Sequence, residues 1–415
     1  MIMVDRDGFD KNDLTAKQAR MRQSEGWRNP SGVRYAICLP HALDMIAAVL
    51  YLRDCGGSAL LFHADTPFLS AKAMAESADC RYLLYRDLNP LPLSGGAGSY
   101  EPSLLQYSSG TTGAPTLIDR PWTRIDEEIA QYNRRAFPEP GGSPIILVPV
   151  SHSYGLITGV LAAMDRQAQP TIVQHKNPKF ALALLKEFKE HVLYTVPYLY
   201  SVMDALDKDG LICNRVFIAG APPTEPLLER MKQQSNEVWQ QYGCTETGCI
   251  SLSGNPLSAT DVGEPLAHLR IDIRRNDPLS EDPRGEIIVA DGAKVTATRD
   301  IGHFDASAGR LRVYGRIDDL INVSGLKVIP SEVEKVIDRL PGVRESVVFG
   351  ARHPVWGESV KALVAAGPPL DAHKVRAWCI QHLPAYKVPG TVQIVSEIPR
   401  TKSGKLSRKQ LQEQE

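Results

Sequence analysis

Short apolar runs alternate with segments of helical spacing along the first two-thirds of the chain. Residues 34–39 and 58–62 have the composition of buried strands, and residues 41–54 between them carry apolar side chains at helical spacing. The same alternation continues with strands at 145–150, 192–196 and 215–219 and a helix at 179–191. Asn177 and Pro178 suit the N-cap and first position of that helix. The pattern predicts an α/β fold with a largely parallel sheet whose faces are covered by helices.

The pattern changes near the C-terminus and predicts a second unit of mixed helices and strands. Ser331 and Glu334 have the spacing of a capping box before a helix at 333–340. The other predicted elements of this unit are strands at 346–350, 362–366 and 391–395 and a helix at 372–382, and a further strand is predicted just before it at 311–314. Strands and helices in this mixture are typical of a small α+β domain.

A polar break at 315–319 separates the two units. We therefore expect a large N-terminal core domain at 1–317, built of mainly parallel sheets covered by helices. A small, mobile α+β lid domain is expected at 318–415. The lid has about a hundred residues, which is an ordinary domain size.

Composition excludes several functional classes. The chain has 415 residues, 43% apolar and 23% charged, and a net charge of -1, so it lacks a basic field for nucleic acid or an anionic membrane. Its polar N-terminus predicts no signal peptide, and its apolar runs are too short for a membrane span. Seven cysteines without a C-x-x-C pair indicate a reduced, cytoplasmic protein without a zinc site.

A segment rich in Ser, Thr and Gly at 107–116 carries the strongest local chemical signal. Its glycines let backbone N–H groups approach an anion and its hydroxyls add donors, which suits the β- and γ-phosphates of a nucleotide. It lacks the G-x-x-x-x-G-K-[ST] pattern of a Walker A loop. Taken alone, the same composition is equally typical of a flexible surface loop. The candidate ligands are Ser108, Ser109, Gly110, Thr111, Thr112 and Gly113.

A second signal lies at 241–247, where an aromatic residue, a hydroxyl and a carboxylate fall close together. The ring of Tyr242 can stack on a purine, and Thr245 can donate to a phosphate. Glu246 is an oxygen ligand suited to Mg²⁺. Alone, the segment is explained more simply as a turn with a solvated glutamate.

A third signal combines residues 299–305 with residues 315–319. The carboxylate of Asp300 can accept hydrogen bonds from both ribose hydroxyls, and Arg316 can brace it. Loop charges with partners of opposite sign are the simpler explanation of either segment alone.

A fourth signal is the basic, glycine-containing segment 399–408, which includes Lys405. A lysine on a mobile segment can neutralise charge that develops on a phosphate or carboxylate. The simpler explanation is a solvated basic tail.

The order and joint presence of the four signals resemble the adenylate-forming superfamily, which includes acyl-CoA synthetases, stand-alone adenylation domains and firefly luciferase. The resemblance covers nearly the whole chain. It implies ATP and Mg²⁺ as cofactors. The positions that match the family's nucleotide site are the phosphate loop at 107–116, Gly220, Ala221, Pro222 and Tyr242 around adenine, Thr245 and Glu246 at the phosphates and magnesium, and Asp300 and Arg316 at the ribose.

The resemblance also implies a two-step reaction with a moving lid. Lys405 matches the catalytic lysine of adenylation, Asp318 the hinge residue, and Gly325 the glycine beside the thiol tunnel. A carboxylate would attack the α-phosphate of ATP, with Thr111 and Thr112 gripping the departing pyrophosphate. The lid would then swing about the hinge, and a pantetheine thiol would attack the acyl-adenylate.

The sequence departs from the family pattern in several places. Thr116 stands where the family usually has a phosphate-binding lysine, and Asn322 stands where a lysine usually follows the hinge. The segments before Arg34 and between 91 and 107 are shorter than usual. We therefore expect weakened ATP affinity and a reduced N-terminal subdomain.

The acid pocket is expected at 151–155, which resembles the family's acid-pocket motif. We expect His152 to orient or gate the carboxylate, although a structural histidine explains it nearly as well. Ser153 would donate to a ring hydroxyl of the substrate or simply turn the chain, and Tyr154 would face the substrate. The motif lacks the aspartate with which amino-acid-activating relatives pair a substrate ammonium, and an unpaired buried ammonium is costly. An amino acid is thus disfavoured, and aryl and aliphatic acids remain.

Two features favour an aryl acid. Residues 117–120 resemble siderophore aryl-acid ligases, and the short chain resembles the 3,4-dihydroxybenzoate ligases of petrobactin biosynthesis, which load an aryl carrier protein. The resemblance implies an aryl-acid substrate in siderophore or other secondary-metabolite biosynthesis. The thiol acceptor would be a separate carrier protein or CoA.

Alternatives from other classes remain at this point. An aliphatic acyl-CoA synthetase is the enzymatic alternative, because residues 152–155 also resemble that group. Thr116 and the trimmed N-terminus suggest a non-catalytic nucleotide-binding homologue. The joint presence of four expected site residues argues against it: Glu246, Asp300, Arg316 and Lys405. A luciferase-like oxygenase is also compatible with the motifs.

Overall fold

The structure, a computed structural model, describes most of the chain. The described residues are 1–96, 98–108, 115–139, 141–174, 177–207, 210–275, 281–324, 326–353, 357–400, 406 and 408–413. Within them the strands form three sheets, of 13, 6 and 5 strands. Strands and helices are labelled below in chain order.

Helices occur in both halves of the chain. They are α1 (Lys11–Gln23), α2 (Ala42–Asp54), α3 (Phe68–Ser77), α4 (Trp122–Ala136), α5 (Ala162–Asp165), α6 (Pro178–Glu187), α7 (Pro197–Leu206), α8 (Glu225–Gln234), α9 (Pro330–Ile337), α10 (Ala372–His382) and α11 (Arg408–Glu413). A π-helix at Tyr154–Leu161 runs directly into α5. None of the helices in these described stretches is long and apolar enough to cross a membrane.

The six-stranded sheet has the order β6-β5-β3-β4-β7-β8. Its strands are β3 (Arg34–Cys38), β4 (Ser58–Leu61), β5 (Tyr82–Tyr85), β6 (Pro90–Pro92), β7 (Ser103–Ser108) and β8 (Thr116–Pro121). The central strands pair in parallel, whereas β7 and β8 form an antiparallel pair at one edge. That pair flanks the predicted phosphate loop.

The large sheet has the order β16-β17-β18-β19-β15-β14-β13-β12-β11-β9-β10-β1-β2. Its strands are β1 (Ile2–Val4), β2 (Asp7–Phe9), β9 (Ser143–Ile146), β10 (Thr171–Ile172), β11 (His191–Thr195), β12 (Cys213–Ile218), β13 (Ser235–Cys244), β14 (Gly248–Gly254), β15 (Asp261–Pro265), β16 (Leu269–Arg274), β17 (Gly285–Asp291), β18 (Lys294–Asp305) and β19 (Arg310–Arg316). Strands β1 and β9 to β13 pair in parallel, and from β13 to β19 the pairing is antiparallel.

The third sheet lies in the C-terminal part of the chain. Its strands are β20 (Ile321–Val323), β21 (Leu326–Val328), β22 (Val343–His353), β23 (Gly357–Ala366) and β24 (Thr391–Val395). Helices α9 and α10 contribute Val333, Ile337 and Val375 to an apolar core of its own. A short 3₁₀ turn at Ile317–Asp319 connects this unit to β19. The division at residue 317 stays a prediction.

The α/β class is confirmed, and most predicted elements occur. The helix at 372–382 and the strand at 391–395 match α10 and β24 at both ends. The N-cap prediction is also confirmed, since the side chain of Asn177 accepts a hydrogen bond from the backbone N–H of Lys179 at 3.0 Å. Parallel pairing was expected to dominate, but the strands after β13 turn back on themselves in antiparallel pairs.

Several predicted boundaries were wrong, among them the ends of one strand and one helix. The strand expected at 145–150 ends at Ile146, since Pro149 soon follows and has no N–H to give a ladder. The helix expected to reach residue 191 ends at Glu187. His191 instead begins β11, and its buried ring contacts the Phe188 carbonyl at 2.7 Å and accepts from the backbone N–H of Asn214 at 3.1 Å.

The predicted capping box at Ser331 and Glu334 was also wrong. Helix α9 begins at Pro330 after Ile329 and has no side-chain cap. The Ser331 hydroxyl donates to the Tyr314 carbonyl instead, and the Glu334 carboxylate accepts from the backbone N–H of Val348 at 2.8 Å. Both side chains therefore make tertiary contacts in place of local ones.

The core of the N-terminal part centres on a stack of aromatic rings. Phe217 on β12 is fully buried, and its ring lies 5.1 Å from that of Tyr194 and 5.5 Å from that of Trp239, both nearly parallel to it. Phe137 stacks on it at 5.5 Å from another side. The stack therefore packs across β11, β12 and β13, and candidate site residues follow the carboxyl ends of β12 and β13.

We expect Phe217→Ala to lower the free energy of unfolding by about 3–5 kcal/mol, because it removes a buried ring and leaves a cavity between three strands. Urea unfolding followed by tryptophan fluorescence measures the change. Leu257→Ala is the control, since Leu257 is 71% exposed and its loss should change stability by less than about 0.5 kcal/mol. Equal effects of the two substitutions would contradict this account of the core.

Candidate active site

The β7–β8 hairpin holds both ends of the predicted phosphate loop. Ser108 pairs with Thr116 in the hairpin register, and the Ser108 hydroxyl donates to the Thr116 carbonyl at 3.4 Å. The Tyr107 hydroxyl donates to the Met74 carbonyl at the end of α3, at 2.8 Å. The base of the loop is thus tied to the sheet and to a covering helix. The expected ligands Ser109, Gly110, Thr111, Thr112 and Gly113 lie outside the described residues.

A buried carboxylate lies at the centre of the candidate nucleotide site. Asp300 on β18 is 8% exposed, and it accepts a hydrogen bond from the Tyr242 hydroxyl at 2.7 Å. Its other carboxylate oxygen accepts from the Arg316 guanidinium at 3.3 Å. Strands β13, β18 and β19 therefore bring together three residues that the sequence predicted for a single site.

Burial raises the pKa of Asp300 above its ordinary value. The Tyr242 hydrogen bond and the Arg316 charge act in the opposite direction, since both favour the ionised form. The charges of Glu246 and Asp319 raise the pKa further, because a nearby negative charge disfavours a second one. The charge of Glu246 is therefore close enough to act on Asp300.

The turn between β13 and β14 carries Thr245 and Glu246, both half-buried. Lys294 donates to the backbone carbonyl of Glu246 at 3.2 Å, and the Cys244 thiol lies 3.0 Å from the Thr247 hydroxyl. A Cβ atom at Gly243 would come within 2.2 Å of the Gly248 carbonyl oxygen. The turn is therefore closed so tightly that glycine is required at that position.

The ligands available for a metal at this turn suit Mg²⁺ bound to a nucleotide. No group of three or more His, Cys, Asp or Glu side chains in the described part of the chain could hold a metal by itself. Mg²⁺ commonly takes one or two carboxylates and completes its shell with phosphate oxygens and water. A single carboxylate such as Glu246 fits that pattern.

Gly220, Ala221 and Pro222 lie directly after the carboxyl end of β12 and are exposed. Gly220 has a φ of +86°, in the left-handed region that glycine adopts without strain. The segment turns sharply at the sheet edge towards which the parallel strands point. Ligands of open α/β sheets bind at this edge, so the position agrees with the predicted adenine contact, which remains a prediction.

The predicted acid-pocket residues surround the start of the π-helix. The Tyr154 hydroxyl donates to the Phe217 carbonyl at 2.8 Å, and the Ser153 hydroxyl donates to the side-chain carbonyl of Gln106. His152 is exposed. A Cβ atom at Gly155 would lie 2.4 Å from the Pro149 carbonyl oxygen, so the chain is tightly packed there. The expected contacts with an acid substrate stay predictions.

The predicted hinge residue, Asp318, is clamped by two arginines. Arg299 donates to both carboxylate oxygens, from Nε at 3.0 Å and from an Nη atom, and Arg316 lies 3.7 Å away. Arg299 has a φ of +62°, which is unusual for a residue with a side chain. Arg316 thus stands between the carboxylates of Asp300 and Asp318.

The C-terminal unit rests on the N-terminal part near the sheet edge. The guanidinium carbon of Arg400 lies 4.6 Å from the centre of the Tyr198 ring, and Lys335 pairs with Glu225 at 3.3 Å. Tyr198 is in α7, which follows the carboxyl end of β11. Lys405 and Gly325 lie outside the described residues, so their expected roles are not tested.

Some residues that shape the site escaped the sequence analysis. Gln106 is 7% exposed, and its amide nitrogen donates to the Ser151 carbonyl at 2.9 Å while its oxygen holds Ser153. Its position beside Tyr107 was the available signal, since a polar residue in an otherwise apolar strand needs partners. Arg299 lay within the third signal at 299–305, but its hydrogen bonds to Asp318 were not predicted.

Comparison with known families finds two matches that together span most of the chain. Residues 31–297 match the AMP-binding enzyme family, and residues 332–405 match the AMP-binding enzyme C-terminal domain. The second match begins in α9, after the hinge candidate.

Curated relatives and solved structures are similar over nearly the full length. The chain is 41% identical to a 3,4-dihydroxybenzoate–[aryl-carrier protein] ligase of Bacillus anthracis, over 99% of this chain and 98% of that protein. It is 25% identical to a 2-succinylbenzoate–CoA ligase of Bacillus subtilis (strain 168), over 91% and 82% of the two chains. The fold matches ATP-bound MatB from Rhodopseudomonas palustris with a TM-score of 0.84 at 20% identity, covering 100% and 95%.

We expect Tyr242→Phe to raise the pKa of Asp300, because it removes a hydrogen-bond donor that favours the ionised carboxylate. The carboxyl group should then take up its proton at a higher pH than in the wild-type protein. Carboxyl ¹³C NMR titration measures the shift. Tyr154→Phe is the matched control, because the Tyr154 hydroxyl donates to Phe217 and not to Asp300. An unchanged or lowered pKa in Tyr242→Phe would show that the hydrogen bond does not control Asp300.

Proposed function

Since this chain belongs to the family of AMP-binding enzymes, we propose that it is an ATP-dependent aryl-acid–AMP ligase that passes the acyl group to a pantetheine thiol. The main observation behind this proposal is the similarity to the 3,4-dihydroxybenzoate ligase over nearly the full length of both chains. The Tyr242, Asp300 and Arg316 cluster supports it, since it offers an acceptor for ribose hydroxyls beside a candidate metal ligand.

The first half-reaction forms an acyl-adenylate. A carboxylate oxygen of the acid attacks the α-phosphorus of ATP, and the bond to the bridging oxygen of the β-phosphate breaks. Pyrophosphate departs with that electron pair. The carboxylate of Asp300 would accept hydrogen bonds from the ribose hydroxyls. Tyr242 and residues 220–222 would surround adenine. Because the transition state spreads charge over phosphoryl oxygens, the residues act mainly by positioning and by fixed charge.

The charge of the phosphates must be balanced while pyrophosphate leaves. Glu246 and the phosphates would hold Mg²⁺, which when bound neutralises phosphate charge. Thr245 and the 107–116 loop would donate to phosphate oxygens, and Lys405 would bridge the carboxylate and the α-phosphate. The contact of Arg400 with Tyr198 supports the role proposed for Lys405. Arg400 precedes Lys405 by five residues, and its contact with Tyr198 places Arg400 close to the edge of the sheet.

The second half-reaction forms a thioester. The thiol sulfur attacks the acyl carbon, AMP leaves with its oxygen, and the thiol loses its proton to solvent. We propose that the lid at 318–415 swings about Asp318 between the steps, removing Lys405 and presenting the segment around Gly325. The position of Asp318 in the short turn between β19 and β20 supports a hinge there, since hinges are commonly a few residues in loops or at the ends of elements.

We propose an aryl acid as the substrate class. The 151–155 segment contains no carboxylate that could pair with a substrate ammonium, and leaving that ammonium unpaired is costly. The two curated relatives described above are named for benzoate derivatives. We propose 3,4-dihydroxybenzoate as the acid, with an aryl carrier protein or CoA as the acceptor.

We also propose a reducing, cytoplasmic location. All seven cysteines lie in the described part of the chain and none is in a disulfide. Free thiols at this number are usual for proteins kept in a reducing compartment.

Pyrophosphate release across a panel of acids tests the substrate. We expect kcat/KM for 3,4-dihydroxybenzoate to exceed that for benzoate by at least about tenfold, because a site built for ring hydroxyls rejects an analogue without them. Fatty acids should be poorer still. Preference for a fatty acid would instead identify an aliphatic acyl-CoA synthetase. ATP binding without pyrophosphate release for any acid would identify a non-catalytic homologue.

Lys405→Ala tests the catalytic lysine. We expect adenylation to slow on the order of 10²–10³-fold, as for loss of a group that stabilises developing charge. Transfer from a supplied acyl-adenylate should stay within about twofold, because that step follows adenylation. Lys374→Ala, an exposed lysine on α10, is the control and should leave both steps unchanged. Pyrophosphate exchange near the wild-type rate in Lys405→Ala would refute the assignment.

A further inference from the structure

A buried ion pair lies beneath the turn that carries Thr245 and Glu246. Arg120 on β8 donates to one carboxylate oxygen of Glu128 on α4, and the two side chains are 6% and 1% exposed. The other oxygen of Glu128 accepts from the backbone N–H of Cys249 at 2.7 Å. The carboxylate therefore joins a strand, a helix and the start of β14.

The turn packs directly on this pair. Gly248 has a φ of +78°, and a Cβ atom there would lie 2.3 Å from a Glu128 carboxylate oxygen. The same Cβ would lie 2.6 Å from both terminal nitrogens of Arg120. A side chain at position 248 could not be accommodated without moving the turn or the ion pair. The two charged groups therefore limit where the turn can lie.

The pair also connects two parts of the candidate site. Arg120 is on the strand that leaves the 107–116 loop, opposite Leu104 in the hairpin register. Glu128 holds the backbone that leaves the Thr245–Glu246 turn. The contact between these two side chains thus links the phosphate-loop hairpin to the turn with the candidate metal ligand.

Stability alone is a poor explanation for such a pair. Removing two charges from water costs free energy that their attraction often fails to recover, and apolar replacements of similar volume are frequently no less stable. Arg120 is also incompletely bonded, because its Nη1 atom has no hydrogen-bond partner among the described residues. The arrangement is better explained by what it positions.

We propose that Arg120 and Glu128 are positioning residues for adenylation, which place Thr245 and Glu246 at the correct distance from the β7–β8 hairpin. The inference rests on the proposed function, since it assumes that the turn binds Mg²⁺ and phosphate. A shift of about 1 Å in such a group can cost on the order of 10²-fold in rate. The transfer step, which needs neither pyrophosphate nor the metal, should not depend on the pair.

Two variants separate positioning from folding. Glu128→Gln keeps the shape and an oxygen that can accept from Cys249, but it removes the charge that holds Arg120. The double variant Arg120→Met with Glu128→Leu replaces the pair by apolar side chains of similar size. Glu237→Gln is the matched control, because Glu237 pairs with Arg215 at 2.9 Å on β12 and β13, away from the turn.

In both variants we expect adenylation to fall by at least about tenfold and the Mg²⁺ concentration for half-maximal rate to rise at least about threefold. The KM for the acid, and thioester formation from a supplied acyl-adenylate, should stay within about twofold of wild type. Glu237→Gln should match the wild type in every measurement. Pyrophosphate release, Mg²⁺ titration and thermal unfolding supply the data.

Each other result overturns the inference. Wild-type Mg²⁺ dependence in a folded double variant would show that the pair positions nothing. Equal losses in adenylation and transfer, or an unfolded double variant, would make the pair a stability element. These outcomes differ from failure of the proposed function, in which the wild-type protein itself would release no pyrophosphate with any acid.

Discussion

A carboxylate buried in a protein needs partners, and Asp300 obtains them from strands that are distant in sequence. Tyr242 comes from β13 and Arg316 from β19, so the hydrogen bonds of one side chain require the large sheet to close in its antiparallel order. Without these partners, burial would favour the neutral acid, which is a weaker acceptor for hydroxyl groups. The chemistry of the site thus depends on the sheet being complete from β13 to β19.

Much of the N-terminal fold could be predicted because apolar runs and helical spacing report burial directly. Helix α2 and strand β12 appear within a residue or two of their expected ends. The antiparallel region was harder, since its strands are half-exposed, as in the alternating burial of Leu269–Arg274. Local signals gave wrong predictions where tertiary contacts competed with them. Ser331 and Glu334 do not cap a helix, because their side chains make hydrogen bonds to the backbone of β19 and β22.

The candidate site also contains residues that the sequence could predict and residues that it could not. Tyr242, Asp300 and Arg316 could be found because each lies in a short polar motif, and the order of the motifs along the chain carried the rest. The Arg120–Glu128 pair could not be found from the sequence. Its supporting role depends on the contact of Glu128 with Cys249, which is far along the chain. Sequence motifs record the groups that meet a ligand, whereas the supporting contacts depend on the three-dimensional arrangement.

One guanidinium serves two carboxylates, since Arg316 lies between Asp300 and Asp318. A shift of the Arg316 guanidinium towards Asp300 weakens its interaction with Asp318. Of the two arginines, Arg299 then restrains Asp318 alone. Thermodynamic reciprocity makes the exchange symmetrical: if ribose occupancy alters the restraint on the connector, then reorienting the C-terminal unit must alter nucleotide affinity by the same factor. The shared arginine is therefore a physical link through which nucleotide affinity and the orientation of the C-terminal unit would affect each other.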